Sequence, residues 1–378
     1  MPIRVLHCYK TYKPDEIGGV AEAISTIVAS GDSRLQHAVL VARSCGMGRT
    51  FIDGNTPIRA VSSFGVIWSL PIAPGYPFVQ ARMARSVDLV VHHAPFPLAD
   101  IGHLISHRKG PAVLVHWHAD LQTSKALGAV VEPLVRRTLR CADRIVVPHE
   151  SIMQSSSFLK NFAAKCIAVP HGIDVASWSM LTDDERKEVV DIRSRFPRLI
   201  VSTGRLVGYK GHEVLLRALK EVDATLIIVG KGPLRENLEA ASRNLGIDKR
   251  VTLAGWLDRS KMKVLLHAAR VFAFPSISVA ESFGIAQLEA MAAGLPVVNT
   301  ALPTAVPHIA RDGVEGFTVP PGDATGLALA LAKLLDDAEV AKKFGHAAQR
   351  RVESCFDAKI TSRQMGDAYE QAVIGRNT

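Results

Sequence analysis

The sequence predicts an α/β chain of two Rossmann-like domains, each built on a doubly wound parallel sheet. Three observations carry this expectation. The chain has 378 residues, too many for one ordinary core and comfortable for two of roughly 180. Short Val/Ile/Leu runs alternate with amphipathic stretches of helical length, the pattern of parallel strands buried on both faces. The alternation runs its course twice, so two sheets are expected rather than one.

In the first half the strand-like runs are residues 3–7, 38–41, 89–92, 112–116, 144–147 and 166–169. In the second half they are residues 199–203, 225–229, 251–254, 271–274, 296–299 and 316–319. The join is expected within residues 174–197, a charged segment that is helical in pattern over its second half and ends at Pro197. This gives an N-terminal domain over residues 1–180 and a C-terminal domain over 181–357. Residues 358–378 read as a further helix with no strand to accompany it, expected to pack back on the N-terminal domain.

Apolar residues make up 48% of the chain and charged residues 21%, a globular balance that excludes a coiled coil, a low-complexity linker or a disulfide-built miniature. The five cysteines are scattered with no C-x-x-C pair, which fits a reduced cytoplasmic chain. The N-terminus has one short apolar run and then charge, unlike a signal peptide. The least polar long stretch, residues 61–80, is broken by Pro71, Pro74 and Pro77, too often for a membrane-spanning helix.

The net charge of +9 is uneven: residues 1–180 hold 18 Lys/Arg against 12 Asp/Glu, and the remainder holds 27 against 24. A polyanion or an anionic surface therefore has to be considered as a partner. Nucleic acid is not expected, since no helix-turn-helix, zinc-finger or RNA-binding motif occurs and the basic residues are spread rather than striped. Arg82/Arg85, Arg108/Lys109 and Arg136/Arg137/Arg140 make either a solvated face or a dock for an anionic inner leaflet. Residues 61–80, with Phe64, Trp68, Tyr76 and Phe78, could add an apolar contact or cover a lipid acceptor.

Ligands of doubly wound sheets bind beyond the carboxyl ends of the strands, so the polar residues there are the candidates. In the second half, Arg205 and Lys210 follow a strand among Gly204, Gly208 and Gly211. Arginine can fork onto phosphate oxygens and lysine adds a point charge, although a solvated basic loop has the same composition. Glu281 is expected in a loop and Glu289 in the second turn of a helix that starts near Gly284. That helix start offers free N–H groups and a positive dipole end; a solvent-facing helix is the plainer alternative. Gly230-Lys231-Gly232-Pro233 reads as a tight turn with Pro233 at a first helical position.

In the first half, Gly18-Gly19 either admits a ligand to the backbone or makes a turn. His116-Trp117-His118-Ala119-Asp120 places histidines and an aspartate just past a strand; such groups are either hydrogen-bonded structural residues or functional ones. Without another nearby ligand they are an incomplete zinc set. No Walker-type phosphate loop, G-x-G-x-x-G, G-x-S-x-G or Asp-x-Asp occurs, so a diphosphate's charge would fall to Arg205 and Lys210.

Taken in order, these pieces resemble the GT-B glycosyltransferases of family four, marked by an E-x7-E motif, over nearly the whole chain. The matching segments are residues 14–20, 116–120 and 142–147, then Pro170-His171-Gly172-Ile173-Asp174, Gly204-Arg205 with Lys210-Gly211, Glu281 to Glu289, and residues 291–298. Residues 9–20 and 299–307 look most like bacterial transferases that extend lipid-linked surface polysaccharides, several of them users of GDP-mannose or GDP-rhamnose. Pro170-His171-Gly172 departs slightly from the Asn-Gly form of that turn.

The resemblance implies two domains around an interdomain cleft and retaining transfer of a hexose from a nucleoside-diphosphate sugar, GDP-sugar favoured over UDP-sugar, with no metal or other cofactor. It implies that Arg205 and Lys210 hold the diphosphate, Glu289 the ribose hydroxyls, and Glu281 the donor sugar. Lys231 lies in a loop that influences base choice. The backbone of Phe283, Gly284 and Ile285 would meet sugar or phosphate oxygens, His118 would face the reaction centre, and Gly18-Gly19 would close over the donor. The acceptor it implies is a polyprenyl-diphosphate-linked saccharide, reached from the inner face of the cytoplasmic membrane. The alternatives are a UDP-sugar transferase with another acceptor, a sugar-nucleotide epimerase, a glycogen-phosphorylase-like enzyme and an inactive scaffold subunit.

Overall fold

The computed structural model describes residues 1–15, 19–29, 31–67, 70–106, 110–120 and 125–377. It divides into two compact units, residues 1–172 with 358–378, and residues 173–357. The chain thus enters the second unit at Ile173, eight residues earlier than the expected boundary. Asp174 caps α6 (Val175–Ser179), and this short helix packs within the second unit, its Trp178 buried in that core.

The strands of the first unit are β1 (Ile3–Cys8), β2 (Leu35–Ala42), β3 (Arg49–Asp53), β4 (Thr56–Val61), β5 (Val66–Ile67), β6 (Leu70–Pro71), β7 (Leu89–Ala94), β8 (Ala112–Trp117), β9 (Arg144–Val147) and β10 (Cys166–Ala168). Its helices are α1 (Gly19–Val28), α2 (Tyr76–Met83), α3 (Pro97–Ile105), α4 (Lys125–Cys141), α5 (Glu150–Ser155) and the C-terminal helix, Ala358–Asn377. Among the described residues eight strands form the main sheet in the order β10-β9-β8-β7-β1-β2-β4-β3. All pairings are parallel except β3 with β4. That hairpin lies outside the expected strands. Its β4 alternates buried and exposed at Thr56, Pro57, Ile58 and Arg59, as an antiparallel edge should.

The second unit adds α7 (Asp183–Arg195), β11 (Leu199–Thr203), α8 (His212–Lys220), β12 (Thr225–Val229), α9 (Arg235–Asn244), β13 (Val251–Gly255), α10 (Arg259–Ala268) and β14 (Val271–Ala273). It continues with α11 (Ile285–Ala292), β15 (Val297–Thr300), α12 (Val306–Ile309), β16 (Gly316–Val319), α13 (Ala324–Asp336) and α14 (Ala338–Cys355). Its sheet runs β13-β12-β11-β14-β15-β16, all parallel. Local signals fix where several helices start. Thr182 and Glu185 form a reciprocal capping box on α7, and Asp258, Asp323 and Asp337 cap α10, α13 and α14. Pro233 is not a first helical residue: α9 begins two residues later, after Leu234.

Each unit buries both faces of its sheet, as its Val/Ile/Leu strands require. In the second unit Leu199 and Val201 face one core while Ile200 faces the other. In the first, Val5, Val91 and Leu114 share a face with Met365, Ala368 and Tyr369 of the C-terminal helix, α15 (Ala358–Asn377).

Candidate active site

In the second sheet the strand order reverses between β11 and β14, which is where a doubly wound sheet opens for a ligand. The loops after β12, β11 and β14 emerge side by side there and are tied to one another. Gly204 N donates to Val229 O at 2.9 Å, Leu206 N to Lys231 O at 3.0 Å, and Ile277 N to Tyr209 O at 2.8 Å. Gly230 has φ +150°, and a Cβ on it would lie 1.9 Å from Gly204 O, so only glycine fits where these two loops cross.

Two predicted residues meet at this point. Lys210 Nζ lies 2.5 Å from Glu281 Oε2, both side chains little exposed, and Ser276 Oγ also donates to that oxygen at 3.3 Å. The Lys210 ammonium sits 5.1 Å from the Phe274 ring centroid, and its stem runs along Gly204, where a Cβ would come within 3.1 Å of Cε. The cation is therefore held by a carboxylate, an aromatic face and a glycine groove. Arg205 and Lys231 are exposed at the ends of β11 and β12, in position to reach an anion that arrives from solvent.

Gly284 takes a left-handed conformation, φ +90°, at the N-cap of α11, and a Cβ there would strike the Phe274 ring at 2.8 Å. The turn presents the first N–H groups of α11, and Ile285 is its first residue. Phe283 is buried, its ring 6.3 Å from that of Phe356, so only its backbone is offered to a ligand. Glu289 lies half-buried in the second turn of α11. Gln287 and Asn299 brace the helix from beneath, Asn299 Nδ2 donating to Gln287 Oε1 at 2.9 Å and to Val306 O and Ala310 O.

The first unit holds a different arrangement. His118 follows β8, is 4% exposed, and its Nε2 lies 2.9 Å from His93 Nδ1. His116, tilted, and His171, stacked, lie close by, with ring centroids 4.2 and 5.4 Å from His118. Burial, reinforced by His116 and His171, holds the His118 imidazole well below its ordinary pKa and therefore neutral. Sequence reasoning did not find His93, which lies 25 residues away and arrives only through the pairing of β7 with β8.

His93, His116 and His118 offer ligand nitrogens within 4.8 Å of one another, a set that spacing alone did not suggest. Both His93 nitrogens are already spent on neighbouring imidazoles, at 3.0 and 2.9 Å, so a metal would have to break one of these bonds. Asp120 is tied into the turn that follows β8. It accepts from Trp117 Nε1 at 3.1 Å, Ser156 Oγ at 2.5 Å and Ser157 N at 3.2 Å. Of the Gly18-Gly19 pair, Gly18 lies outside the described residues and Gly19 is the first residue of α1.

Two parallel doubly wound units, one with basic and acidic side chains converging at its switch point, define a GT-B glycosyltransferase. Family models agree: residues 17–177 match "Glycosyltransferase Family 4" and residues 185–351 match "Glycosyl transferases group 1". The chain is 30% identical to the O-antigen chain mannosyltransferase C of Escherichia coli, covering 97% of each. It is 29% identical to the D-rhamnosyltransferase WbpZ of Pseudomonas aeruginosa, covering 94% of this chain and 93% of that one. Among solved structures, Anabaena HepE in complex with UDP and glucose aligns at TM-score 0.78 and 19% identity over 97% of this chain and 99% of that chain. The sucrose-phosphate synthase of Thermosynechococcus elongatus aligns at TM-score 0.81 and 19% identity over 98% of both. The chain belongs to glycosyltransferase family four.

Proposed function

We propose that this glycosyltransferase moves a hexose, with retention, from a GDP-sugar such as GDP-mannose to a lipid-linked saccharide in surface-polysaccharide synthesis. The observation that carries the reading is the Lys210–Glu281 pair at the switch point of the second sheet. It sits in a chain similar from end to end to an O-antigen mannosyltransferase.

The chemistry follows from where charge develops. As the anomeric carbon loses its diphosphate, negative charge grows on the leaving phosphate and positive charge on the sugar ring. Lys210, already fixed, and Arg205, exposed beside it, neutralise the former; a preorganised group such as Lys210 contributes about 3–4 kcal/mol. Glu281 stands at the sugar and Glu289 at the ribose hydroxyls, while the N–H groups around Gly284 and Ile285 bind sugar or phosphate oxygens. Glu281 is not assigned as a covalent nucleophile: Lys210 and Ser276 occupy its Oε2, and the leaving phosphate itself assists deprotonation of the acceptor. His118 supplies a neutral hydrogen-bonding group to the reacting sugar. No metal takes part in this scheme, the cationic side chains standing where an Asp-x-Asp-bound ion would otherwise be needed.

The acceptor lipid is reached at the inner leaflet. In the first unit, Phe64 is 82% exposed and Phe78 66%, with Val66 and Ile67 of the β5–β6 hairpin also exposed. Arg82 and Arg85 lie exposed in sequence next to them. Aromatic side chains with flanking arginines suit an anionic interface. Among the described residues no helix is long and apolar enough to cross a membrane. Calorimetry against GDP, GDP-mannose, UDP and UDP-glucose, followed by transfer onto lipid-linked saccharide extracts, tests the reading. Tight binding of UDP with none of GDP would replace the donor. Absence of transfer from any nucleotide sugar would favour a scaffold subunit.

A further inference from the structure

The pairing of β7 with β8 gathers three imidazoles on one face of the first unit's sheet. His93 is level with His116, and His118 follows His116 by two residues, a step that keeps a side chain on the same face of a strand. Each ring offers a nitrogen within 4.8 Å of those of the other two. His116 and His118 by themselves make an incomplete zinc set; strand register supplies a third imidazole.

The trio is short of hydrogen-bond partners. All three side chains are buried, yet His116 Nδ1, His116 Nε2 and His118 Nδ1 meet no partner among the described residues. Buried polar nitrogens are paired as a rule, so three orphans in one place call for a partner that takes lone pairs. Burial holds all three rings below their ordinary pKa, and a neutral imidazole keeps one lone pair beside its single N–H. Three imidazoles without a carboxylate or thiolate among them suit a borderline ion such as zinc. The neighbouring rings fit the same purpose. His93 Nε2 lies 3.0 Å from His7 Nδ1, and His7 Nε2 lies 3.0 Å from His37 Nδ1. A metal-bound histidine donates its other ring N–H to a neighbour, which fixes its tautomer; with Nδ1 on a metal, His93 donates to His7 and His7 to His37. His171, whose ring centroid is 5.5 Å from that of His116 and 5.4 Å from that of His118, also lines a cleft with Thr26, Pro170, Gly172 and Thr361. That is the side from which an ion reaches the trio.

We propose that His93, His116 and His118 bind one zinc ion, with His93 Nδ1 and His118 Nε2 as two of its three nitrogen ligands. These two atoms lie 2.9 Å apart across one shared proton. Nitrogens on a single tetrahedral zinc stand about 3.3 Å apart, so the pair opens by about 0.4 Å as the ion takes the place of that proton. His116 turns one of its orphaned nitrogens in as the third ligand, and water completes the tetrahedron. The displaced proton passes to the other nitrogen of its own ring, so each imidazole stays neutral with one N–H. His118 is then fixed with its N–H on Nδ1. The ion ties the end of β7 to the residue that follows β8, and its place is in the first unit alone, apart from the diphosphate chemistry given to the second.

The chain without a histidine tag, stripped by a chelator, is expected to take up one zinc in equilibrium dialysis and to gain melting temperature in its first unit. In protein with 15N-labelled histidine, zinc should move the His93, His116 and His118 ring signals together. Cobalt(II) in its place should give the strong visible bands of a four-coordinate ion. His116→Leu fills much the same space without a nitrogen and leaves the His93 hydrogen bonds in place; it should weaken zinc uptake at least about 10-fold and abolish the joint shift. Zinc uptake that His116→Leu leaves unchanged would mean an adventitious ion only and would overturn the site. So would ring signals of the trio indifferent to zinc, or the weak bands of six-coordinate cobalt. If His116→Leu does not fold, the NMR and cobalt measurements on the unaltered chain decide. None of these readouts uses sugar transfer, so the zinc site stands or falls apart from the transferase reading.

Discussion

The two units share one architecture and use it in opposite ways. The second unit carries its charged candidate residues in loops: Arg205, Lys210, Lys231 and Glu281 all follow strand ends, and the strands beneath them are mostly apolar. The first unit puts polar groups on the strands themselves. Val5, Val91 and Leu114 lie in its core, and two residues further along each strand stands a buried histidine: His7, His93 and His116. A loop can be charged because water reaches it, whereas a buried sheet face favours groups that stay neutral.

The largest consequence is in acid. Burial lowers eight described histidines of the first unit: His37, His92, His103 and His171 to about 4, and His7, His93, His116 and His118 well below their ordinary value. Asp32 opposes the shift at His37 and Asp143 at His103. In the second unit only His212, to about 4, and His267 are lowered. A histidine whose folded value is depressed contributes stability above its unfolded value, near 6.5, and loses it as pH falls towards the folded value. Each such group costs about 1.4 kcal/mol per pH unit in that window. Asp100, pushed up to about 7 by burial, works in the other direction and offsets one group of the eight. Thermal unfolding is therefore expected to separate into two steps between pH 7 and 5, the first unit melting first. A single transition shifted equally for both units would erase the contrast.

Glu281→Gln keeps a hydrogen-bonding side chain but frees Lys210 from its counter-charge. Transfer should fall about 100-fold, near 2.7 kcal/mol, while affinity for the nucleotide diphosphate alone holds or rises. Gly204→Ala presses a methyl on the Lys210 stem at a φ of +148° and should cost about 1–3 kcal/mol through strain, read as lower kcat at near-normal fold. Asp120→Asn weakens the acceptor that gathers Trp117, Ser156 and Ser157. It should cost about 1–2 kcal/mol of first-unit stability with no direct effect on nucleotide binding by the second unit. The membrane contrast is tested by Phe64→Ser with Phe78→Ser, expected to reduce co-sedimentation with anionic vesicles and leave transfer to a soluble acceptor analogue unchanged.

What the sequence made legible follows the same division. All twelve expected strands are present within a few residues of their ends, because a strand buried on both faces needs a continuous apolar run. The β3–β4 hairpin escaped because its short strands carry Arg49, Thr50, Asp53 and Arg59 and leave no continuous apolar run. The loop positions of Arg205, Lys210, Lys231 and Glu281 were readable because an apolar run shows where each strand ends. The row of hydrogen-bonded histidines His37, His7, His93 and His118 was not, since its bonded members lie 25 to 86 residues apart and meet only through strand register. A trace of it existed: Val5-Leu6-His7, Val91-His92-His93 and Leu114-Val115-His116 repeat one spacing in three strands. At Asp120, an acidic group past a strand end, the alternative left open takes a definite form: it accepts from Trp117 Nε1 and from the turn at Ser156 and Ser157.

The central claim is that the fixed cation of the second unit drives departure of a nucleoside diphosphate. Single-turnover transfer from radiolabelled GDP-mannose to lipid-linked acceptor, with and without Lys210→Ala, tests it most directly. The account predicts a loss of about 100- to 1,000-fold in the chemical step in a protein whose two units still unfold cooperatively. Transfer within a few-fold of the unaltered enzyme would contradict it.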